Sequence, residues 1–366
     1  MSGADVLRLF LGPSSCSALV ELLVPSFQIP VMIHAPCAPA CSDKAASLAV
    51  LAIVALSLAC VAPATPSAEP KASTATTAPA ALPALDSAQL IRDVFRLAND
   101  SMAGRAAMTP ENAKARRWLE SEFHRIGLDP VDGRFVHPWV RARRAGADSV
   151  RGANVLGLVR GRTRSARTIV VSAHYDHVGT RNGQVYNGAD DNASGTAAVL
   201  ALAAHFKAHP PAHNIIFALW DAEEIGLLGA RAFVDAPTVP LASIVANVNL
   251  DMVSRNDQGE LYAAGATPWP AMRPVLESLV PIAAVKLLLG HDSGGGQDDW
   301  TNQSDQGAFH AAKIPFVYFG VEDHPDYHKP TDDPERIQPG FFYGAARTIA
   351  AFVERLDAAV AGWPAR

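Results

Sequence analysis

Five short apolar runs between residues 153 and 320 constrain the fold more than any other feature of the sequence. Each run has the length of a buried β-strand, and helical patterns such as SGTAAVLALAAHF separate them. Strands without a polar face that alternate with helices are typical of a sheet covered on both sides. The five runs are ANVLGLV, TIVVSA, IIFALW, IVANVNL and PFVYFG. We therefore predict a single α/β domain with a central, mostly parallel (mixed) sheet flanked by helices on both faces.

The first 85 residues differ in composition from the rest of the chain. Residues 45–62 form an uncharged apolar run after Lys44, and residues 65–85 are rich in Pro, Ala and Thr without hydrophobic periodicity. The run is typical of a secretory signal or membrane anchor, and the segment after it of a flexible linker. The sequence thus predicts an extension with a signal or anchor over residues 1–64, a linker over 65–85 and a folded domain over 86–366.

Three versions of the N-terminal segment remain open. The chain is cleaved after Ala64, carries a lipid on Cys60, or keeps the apolar run as an uncleaved membrane anchor. All three place the folded domain outside the cytoplasm, in a periplasm or in the medium.

The positions of the cysteines and the net charge limit which metal ligands and which partners the folded domain can have. All four cysteines lie in the first sixty residues, so a metal site in the folded domain has to be built from His and carboxylates. The 366-residue chain has a net charge of -5 and no Lys/Arg-rich run, which argues against a nucleic-acid partner.

An acidic pair, Glu223 and Glu224, follows the apolar run IIFALW after two residues. Taken alone, the pair is best explained as the start of a helix, where carboxylates interact well with the helix dipole. However, the end of a buried strand is also where open α/β sheets bind ligands. Two carboxylates there repel each other unless a cation or a shared proton relieves them.

Further carboxylates and imidazoles follow the other strand-like runs. Taken singly, each is explained as a loop residue or a helix cap. Together, after successive strands, they predict a metal site in one crevice, and imidazole with carboxylate is a ligand set that zinc accepts. They are His174-Tyr175-Asp176-His177, Asp190-Asp191, Asp251, and His324-Pro325-Asp326-Tyr327-His328.

The motifs SAHYDHVG, NGADDNASGTAAV, WDAEEIGLLGA, NLDMV and YHKPTDD resemble those of the di-zinc aminopeptidase family. That family also contains glutamate carboxypeptidase and, as a divergent branch, glutaminyl cyclase. The resemblance covers roughly residues 88–360. It implies an α/β fold, two zinc ions about 3.5–4 Å apart, and hydrolysis of a peptide or related amide bond.

The resemblance also assigns metal ligands, position by position. It implies that His174 and Asp251 bind one zinc ion, that Glu224 and His328 bind the other, and that Asp191 bridges the two. It further implies a cis peptide bond between Asp191 and Asn192.

Three more residues receive roles from the same resemblance. Asp176 is implied to accept a hydrogen bond from the far nitrogen of His174 and so to fix the tautomer of that ring. Glu223 is implied to be the general base that takes a proton from the attacking water and later passes it to the leaving amine. Tyr327 is implied to donate a hydrogen bond to the tetrahedral oxyanion, with packing of its ring against the loop as the alternative.

One segment departs from the family pattern. The family often has Ser-Asp-His where this chain has Ser304-Asp305-Gln306, and the Gly-rich residues 290–300 either line the substrate pocket or move freely. The most favoured function is an aminopeptidase acting on peptides. A carboxypeptidase or dipeptidase, a single-zinc glutaminyl cyclase and an inactive binding ectodomain stay as alternatives, and the intact ligand set argues against the last.

Overall fold

The computed structural model describes residues 81–142, 149–294 and 298–364, and the backbone of three N-terminal strands. These strands, β1 (Arg8–Leu11), β2 (Ser17–Val24) and β3 (Phe27–His34), form an antiparallel sheet within a separate unit that ends at Thr76. The predicted signal or anchor at 45–62, Cys60 and residues 65–80 of the predicted linker lie outside the described residues. Across the part that the structure describes, no helix combines the length and the apolar character needed to span a membrane.

The second unit, residues 77–366, contains a nine-stranded sheet, a small hairpin and the helices. From residue 129 on, the strands are β4 (Asp129–Pro130), β5 (Val136–Ala142), β6 (Ser149–Val159), β7 (Thr168–His174), β8 (Gly179–Arg181), β9 (Gln184–Tyr186), β10 (Asn214–Trp220), β11 (Ile244–Leu250), β12 (Glu260–Ala264), β13 (Lys286–Leu289) and β14 (Phe316–Gly320). The α-helices are α1 (Ser87–Leu97), α2 (Pro110–Ile126), α3 (Gly195–Ala208), α4 (Leu228–Asp235), α5 (Arg273–Leu279), α6 (Gln306–Ala311) and α7 (Pro339–Ala359).

The strand order of the main sheet is β13-β12-β14-β11-β7-β10-β6-β4, with β5 also paired to β6. The four central strands, β14, β11, β7 and β10, are parallel to one another. Antiparallel pairing begins on either side of them, at β6 and at β12. The predicted mixed sheet with a parallel centre is confirmed.

Side chains alternate between the two faces of the sheet, as the pleat of a strand requires. In β7, Ile169 and Val171 join the larger hydrophobic core, which also contains buried residues of α1, α2, α3, α5 and α7. Val170, between them, joins the smaller core together with Phe233 of α4 and Phe309 of α6. Helices therefore cover both faces of the sheet, which is why the five runs are mostly apolar.

The carboxyl ends of the parallel strands lie at one edge of the sheet. His174, the last residue of β7, pairs in register with Trp220, the last residue of β10. β11 ends at Leu250 and β14 at Gly320, and Leu250 pairs with Phe319. The polar residues that follow these strands are therefore brought to the same edge.

Residues 82–85, just before the predicted boundary at residue 86, contact the folded domain. Arg347 of α7 donates hydrogen bonds from Nε to the carbonyl oxygen of Pro83 and from Nη2 to that of Leu82, at 2.8 and 3.0 Å. The Tyr343 hydroxyl donates to the carbonyl oxygen of Leu85 at 3.3 Å. Leu82 and Leu85 also pack against the larger core.

We expect a chain that begins at Ala81 to be more stable than one that begins at Asp86. The shorter chain lacks these three hydrogen bonds, two of them to a cation, so its free energy of unfolding should be lower by about 2–4 kcal/mol. Urea denaturation of both chains tests this. Both should unfold cooperatively, and equal midpoints would show that residues 81–85 contribute nothing to the domain.

Candidate metal centre

Two groups of imidazoles and carboxylates meet at the edge where the parallel strands end. One consists of His174, Asp191 and Asp251, and the other of His177, Asp191, Glu224 and His328. Within each group, one potential ligand atom per residue lies within 4.8 Å of all the others. Asp191 belongs to both groups, so the two candidate ion positions are adjacent.

The two oxygens of Asp191 face different groups. Oδ1 lies 3.3 Å from His174 Nε2, which is also 3.3 Å from Asp251 Oδ1. Oδ2 lies 3.0 Å from His328 Nε2, which is 3.1 Å from Glu224 Oε2. A carboxylate placed in this way can bridge two cations, as the resemblance implies for Asp191. The peptide bond between Asp191 and Asn192 is cis, which confirms that prediction.

A third group, made by His291, Asp298 and Glu322, differs from the first two. Asp298 contacts Nδ1 of His291 and Glu322 contacts Nε2, so the two carboxylates flank opposite sides of the ring. Both carboxylates are largely exposed to solvent. This group is therefore open to solvent, as exposed acidic clusters without a metal ion commonly are.

Charge in the candidate centre is buried and closely coupled. Burial alone would raise the pKa of Asp191, but the imidazoles of His177, His174 and His328 hold it well below its ordinary value. Burial would likewise lower the pKa of His328, but Asp191 and Glu224 raise it to about 10. Groups that stabilise positive charge this strongly suit a divalent cation, which the deprotonated ligands would bind in place of protons.

The buried polar atoms of the centre also fit a metal ion. Among the described residues, both ring nitrogens of His177 and Oε1 of Glu224 are buried without a hydrogen-bond partner. Leaving such atoms unpaired is costly, so a further partner is expected at this point. Together with the imidazole and carboxylate donors, these atoms fit zinc.

Asp176 holds the acidic pair in place through the backbone. Its Oδ1 accepts from the backbone N–H of Glu223 at 3.0 Å, and its Oδ2 accepts from that of Glu224 at 3.4 Å. The hydrogen bond predicted from His174 involves a different atom than expected. Nδ1 of His174 lies 3.1 Å from the backbone carbonyl oxygen of Asp176 but 3.6 Å from its carboxylate. The tautomer of His174 is thus fixed by the main chain of Asp176.

Arg105 connects the two loops that carry the ligands. This fully buried side chain donates from Nε to the carbonyl oxygen of Tyr175, and from Nη1 and Nη2 to those of Asn187 and Gly188. A further bond from Nη1 reaches the carbonyl oxygen of Leu97. Burial lowers the pKa of Arg105 to about 10, so it stays charged at neutral pH. The loop after β7 and the turn before Asp191 are therefore fixed to one cation.

A cavity of about 310 Å³ opens onto the centre. Glu223 and Tyr327 line it, and the ring of Tyr327 stacks on His328 with 4.1 Å between centroids. Burial raises the pKa of Glu223 well above its ordinary value. Trp300 lines the same cavity, which shows that the end of the Gly-rich 290–300 segment contributes to the pocket.

The structure brings together all five residues predicted as ligands. Glu223 and Tyr327 border the cavity beside them, and Asp176 lies behind it. The sequence placed His177 in the predicted metal cluster but gave it no role, and it gave no indication of Arg105. His177 carried a signal, because it lies three residues after His174 in the same motif, whereas Arg105 lies in a short 3-10 turn before the first strand of the sheet.

Comparison with known proteins places these residues in a family. The profile of peptidase family M28 matches residues 154–353. Aminopeptidase YwaD of Bacillus subtilis is 32% identical over 215 residues, which are 55% of this chain and 44% of YwaD. The probable lipoprotein aminopeptidase LpqL of Mycobacterium tuberculosis is 36% identical over 97 residues, 26% of this chain and 18% of LpqL. The chain thus spans less than half the length of either relative.

Solved structures support the fold. The zinc aminopeptidase BSAP from Bacillus subtilis superposes with a TM-score of 0.58 at 20% sequence identity. The superposition covers 74% of this chain and 95% of BSAP. At this identity the likeness establishes the α/β architecture described above.

Substitution of each of two adjacent aspartates tests whether Asp191 bridges the two ions. We expect Asp191→Asn to bind clearly fewer than two equivalents of zinc, because a neutral amide has a single oxygen and cannot join two cations. Asp190→Asn should keep both ions, because the oxygens of Asp190 contact Ser254 and His324 instead. Its free energy of unfolding should fall by about 1–3 kcal/mol, the cost of an impaired buried hydrogen-bond network.

Metal analysis after dialysis and urea denaturation distinguish the two variants. The opposite pattern, with zinc lost from Asp190→Asn alone, would move the bridge to Asp190.

Proposed function

The chain belongs to peptidase family M28, and on that premise we propose that it is a zinc-dependent exopeptidase that removes N-terminal residues from peptides. The names of YwaD and BSAP, both aminopeptidases, support this direction of attack. Because the chain spans less than half of YwaD, the proposal rests on the site itself.

The negative charge of the cavity lining is the observation that best supports cleavage from the amino terminus. This lining contains five carboxylates and neither Lys nor Arg. Asp191, Glu224 and Asp251 belong to the metal-candidate groups, which leaves Glu223 and Asp323 to face the free α-ammonium of a peptide. A C-terminal α-carboxylate lacks a cationic side chain to pair with in this lining. Asp323 lines the cavity without belonging to either metal-candidate group, so we infer that it interacts with the ammonium group. The carboxylates are Asp191, Glu223, Glu224, Asp251 and Asp323.

We infer that the two groups of the candidate centre each hold one zinc ion. His174 and Asp251 would hold one, Glu224 and His328 the other, and Asp191 both. When bound, such a pair supplies a Lewis acid for the scissile carbonyl and lowers the pKa of a water molecule from about 15.7 toward ~7.

Glu223 is proposed to transfer a proton from the attacking water to the leaving amine. Its backbone is fixed by Asp176, and its side chain lies at the cavity wall beside Asp251. Burial raises the pKa of this carboxylate and so makes it a stronger base, which suits a group that takes a proton from water and returns it to the leaving amine. Tyr327 is proposed to donate a hydrogen bond to the oxygen that becomes negatively charged.

A panel of short peptides tests the direction of attack. The zinc-loaded protein should cleave peptides with a free amino terminus and release the first residue, and it should leave N-acetylated copies intact. C-terminal amidation should have little effect. Cleavage that is abolished by amidation but tolerates acetylation would indicate a carboxypeptidase, and loss of ammonia from N-terminal glutamine would indicate a cyclase.

The acidic pair gives a matched test of the two roles. We expect Glu223→Gln to keep both zinc ions and its affinity for substrate but to lose about 10²–10⁴-fold in kcat, the range for removal of a general acid–base. Glu224→Gln should instead bind one ion weakly, and added zinc should restore part of its activity. Metal content and kcat of both variants decide the assignment.

If Glu223 and Glu224 only form the start of a helix, both variants should cleave substrate at the wild-type rate. Their free energy of unfolding should then fall by at most about 1 kcal/mol. That outcome would refute the catalytic assignment of both residues.

We also propose that the domain acts outside the cytoplasm. The apolar run at 45–62 with the linker after it supports export, and the name of LpqL shows that a relative is a probable lipoprotein. Mass spectrometry of the mature N-terminus distinguishes a new terminus after Ala64, a lipid on Cys60 and an uncleaved anchor.

A further inference from the structure

His177 lies in the candidate centre without a role in the ligand set implied by the family resemblance. It follows His174 by three residues, is only 1% exposed, and lies among Asp191, Glu224 and His328. Neither of its nitrogens has a hydrogen-bond partner among the described residues. A fully buried imidazole without a partner requires an explanation.

A hydrogen bond to Glu224 does not explain it. Nδ1 of His177 lies 2.7 Å from Glu224 Oε1, well within hydrogen-bond distance. Both atoms nevertheless lack a hydrogen-bond partner, so the N–H and the acceptor are poorly aligned. Two potential metal ligands that lie close together without forming a hydrogen bond are expected where both point toward the same metal ion.

The spacing of the nitrogen and oxygen atoms on these four residues fits one tetrahedral ion. Zinc bonds of about 2.0–2.1 Å at tetrahedral angles separate neighbouring ligand atoms by about 3.3–3.4 Å. Here Nδ1 of His177 lies 3.6 Å from Asp191 Oδ2 and 2.7 Å from Glu224 Oε1. Nε2 of His328 lies 3.0 and 3.1 Å from oxygens of the same two carboxylates. These separations bracket the expected value.

Packing fixes the ring in this position. A Cβ atom on Gly188 would lie 2.5 Å from Cγ and Cδ2 of His177, so the ring rests directly on the glycine backbone. Gly188 also has a φ of +59°, which favours glycine. The turn that precedes Asp191 thus packs against the imidazole and limits where the ring can lie.

On the basis of the zinc centre proposed above, we propose that His177 is a fourth protein ligand of the ion held by Glu224, His328 and Asp191. The two ions are then unequal. This ion has a complete tetrahedral set of side chains, as in structural zinc sites, whereas the ion at His174, Asp191 and Asp251 has three and keeps an open position. The first ion should be bound more tightly, and the second should exchange first.

Zinc binding by wild-type protein, His177→Gln and His213→Gln tests this. His213 is a matched control, since it is also buried but pairs with Asp357 outside both groups. Loss of an outer partner of a ligand costs about 10–100-fold in metal affinity. We expect His177→Gln to weaken the tighter zinc by more than 100-fold and His213→Gln to leave both affinities unchanged. A loss of 100-fold or less would make His177 an outer partner and overturn the proposal.

A second measurement needs no variant. X-ray absorption of wild-type protein loaded with one equivalent of zinc should show two imidazoles on the metal, and a crystal structure with zinc should show Nδ1 of His177 at about 2.0–2.1 Å from it. One imidazole, or Nδ1 beyond bonding distance, overturns the proposal. Both readouts report metal binding alone, so a protein that binds two ions yet cleaves no peptide would refute the peptidase proposal and leave this one intact.

Discussion

The concentration of buried negative charge at one edge of the sheet is the constraint on which the rest of the site depends. Asp191, Glu224 and Asp251 converge there with little exposure to water. Like charges in a medium of low dielectric constant repel strongly, and each uncompensated ion costs several kcal/mol. The imidazoles relieve this only when they carry protons, as the raised pKa of His328 shows. Because divalent cations can replace those protons, the same field that holds protons on histidine also selects for metal.

Such a site requires a rigid frame, and two residues without a predicted role help to build it: Arg105, outside the motifs, and Asp332, within YHKPTDD. Arg105 binds the carbonyl oxygens of both ligand-bearing loops, although its own backbone is in the left-handed region at a φ of 52°. Asp332 accepts from the backbone N–H groups of Asp190 and Asp191 through its carboxylate. A buried cation thus holds carbonyl oxygens and a buried anion holds amides, so the main chain itself fixes where Asp191 lies.

The central strands and the ligands could be predicted from sequence because both follow from simple geometry. Fully apolar runs identify buried strands, and parallel strands bring the residues after them to one edge. The outer strands β12 and β13 have only five and four residues and are partly exposed, so their apolar stretches LYAA and LLL are too short to identify strands. Arg105 could not be found, because its partners are carbonyl oxygens up to 83 residues away, which leave no trace in side-chain patterns. The direction of the His177 ring depends on contact with Gly188, which only the folded turn creates.

The segment that departs from the family pattern, residues 304–306, connects the cavity wall to β11. Asn249 in β11 donates from Nδ2 to Ser304 Oγ and to Gln306 Oε1, both at 3.0 Å. Gln306 in turn donates from Nε2 to the carbonyl oxygen of Trp300 at 2.6 Å. A side-chain amide can accept and donate at once, so glutamine serves both contacts where relatives often have histidine. Since Trp300 lines the cavity and β11 leads directly into Asp251, the cavity wall is connected to the strand that precedes a candidate metal ligand. The proposed substrate pocket and the candidate metal centre therefore share one support, and the loop that lines the cavity cannot shift without straining buried hydrogen bonds of the sheet.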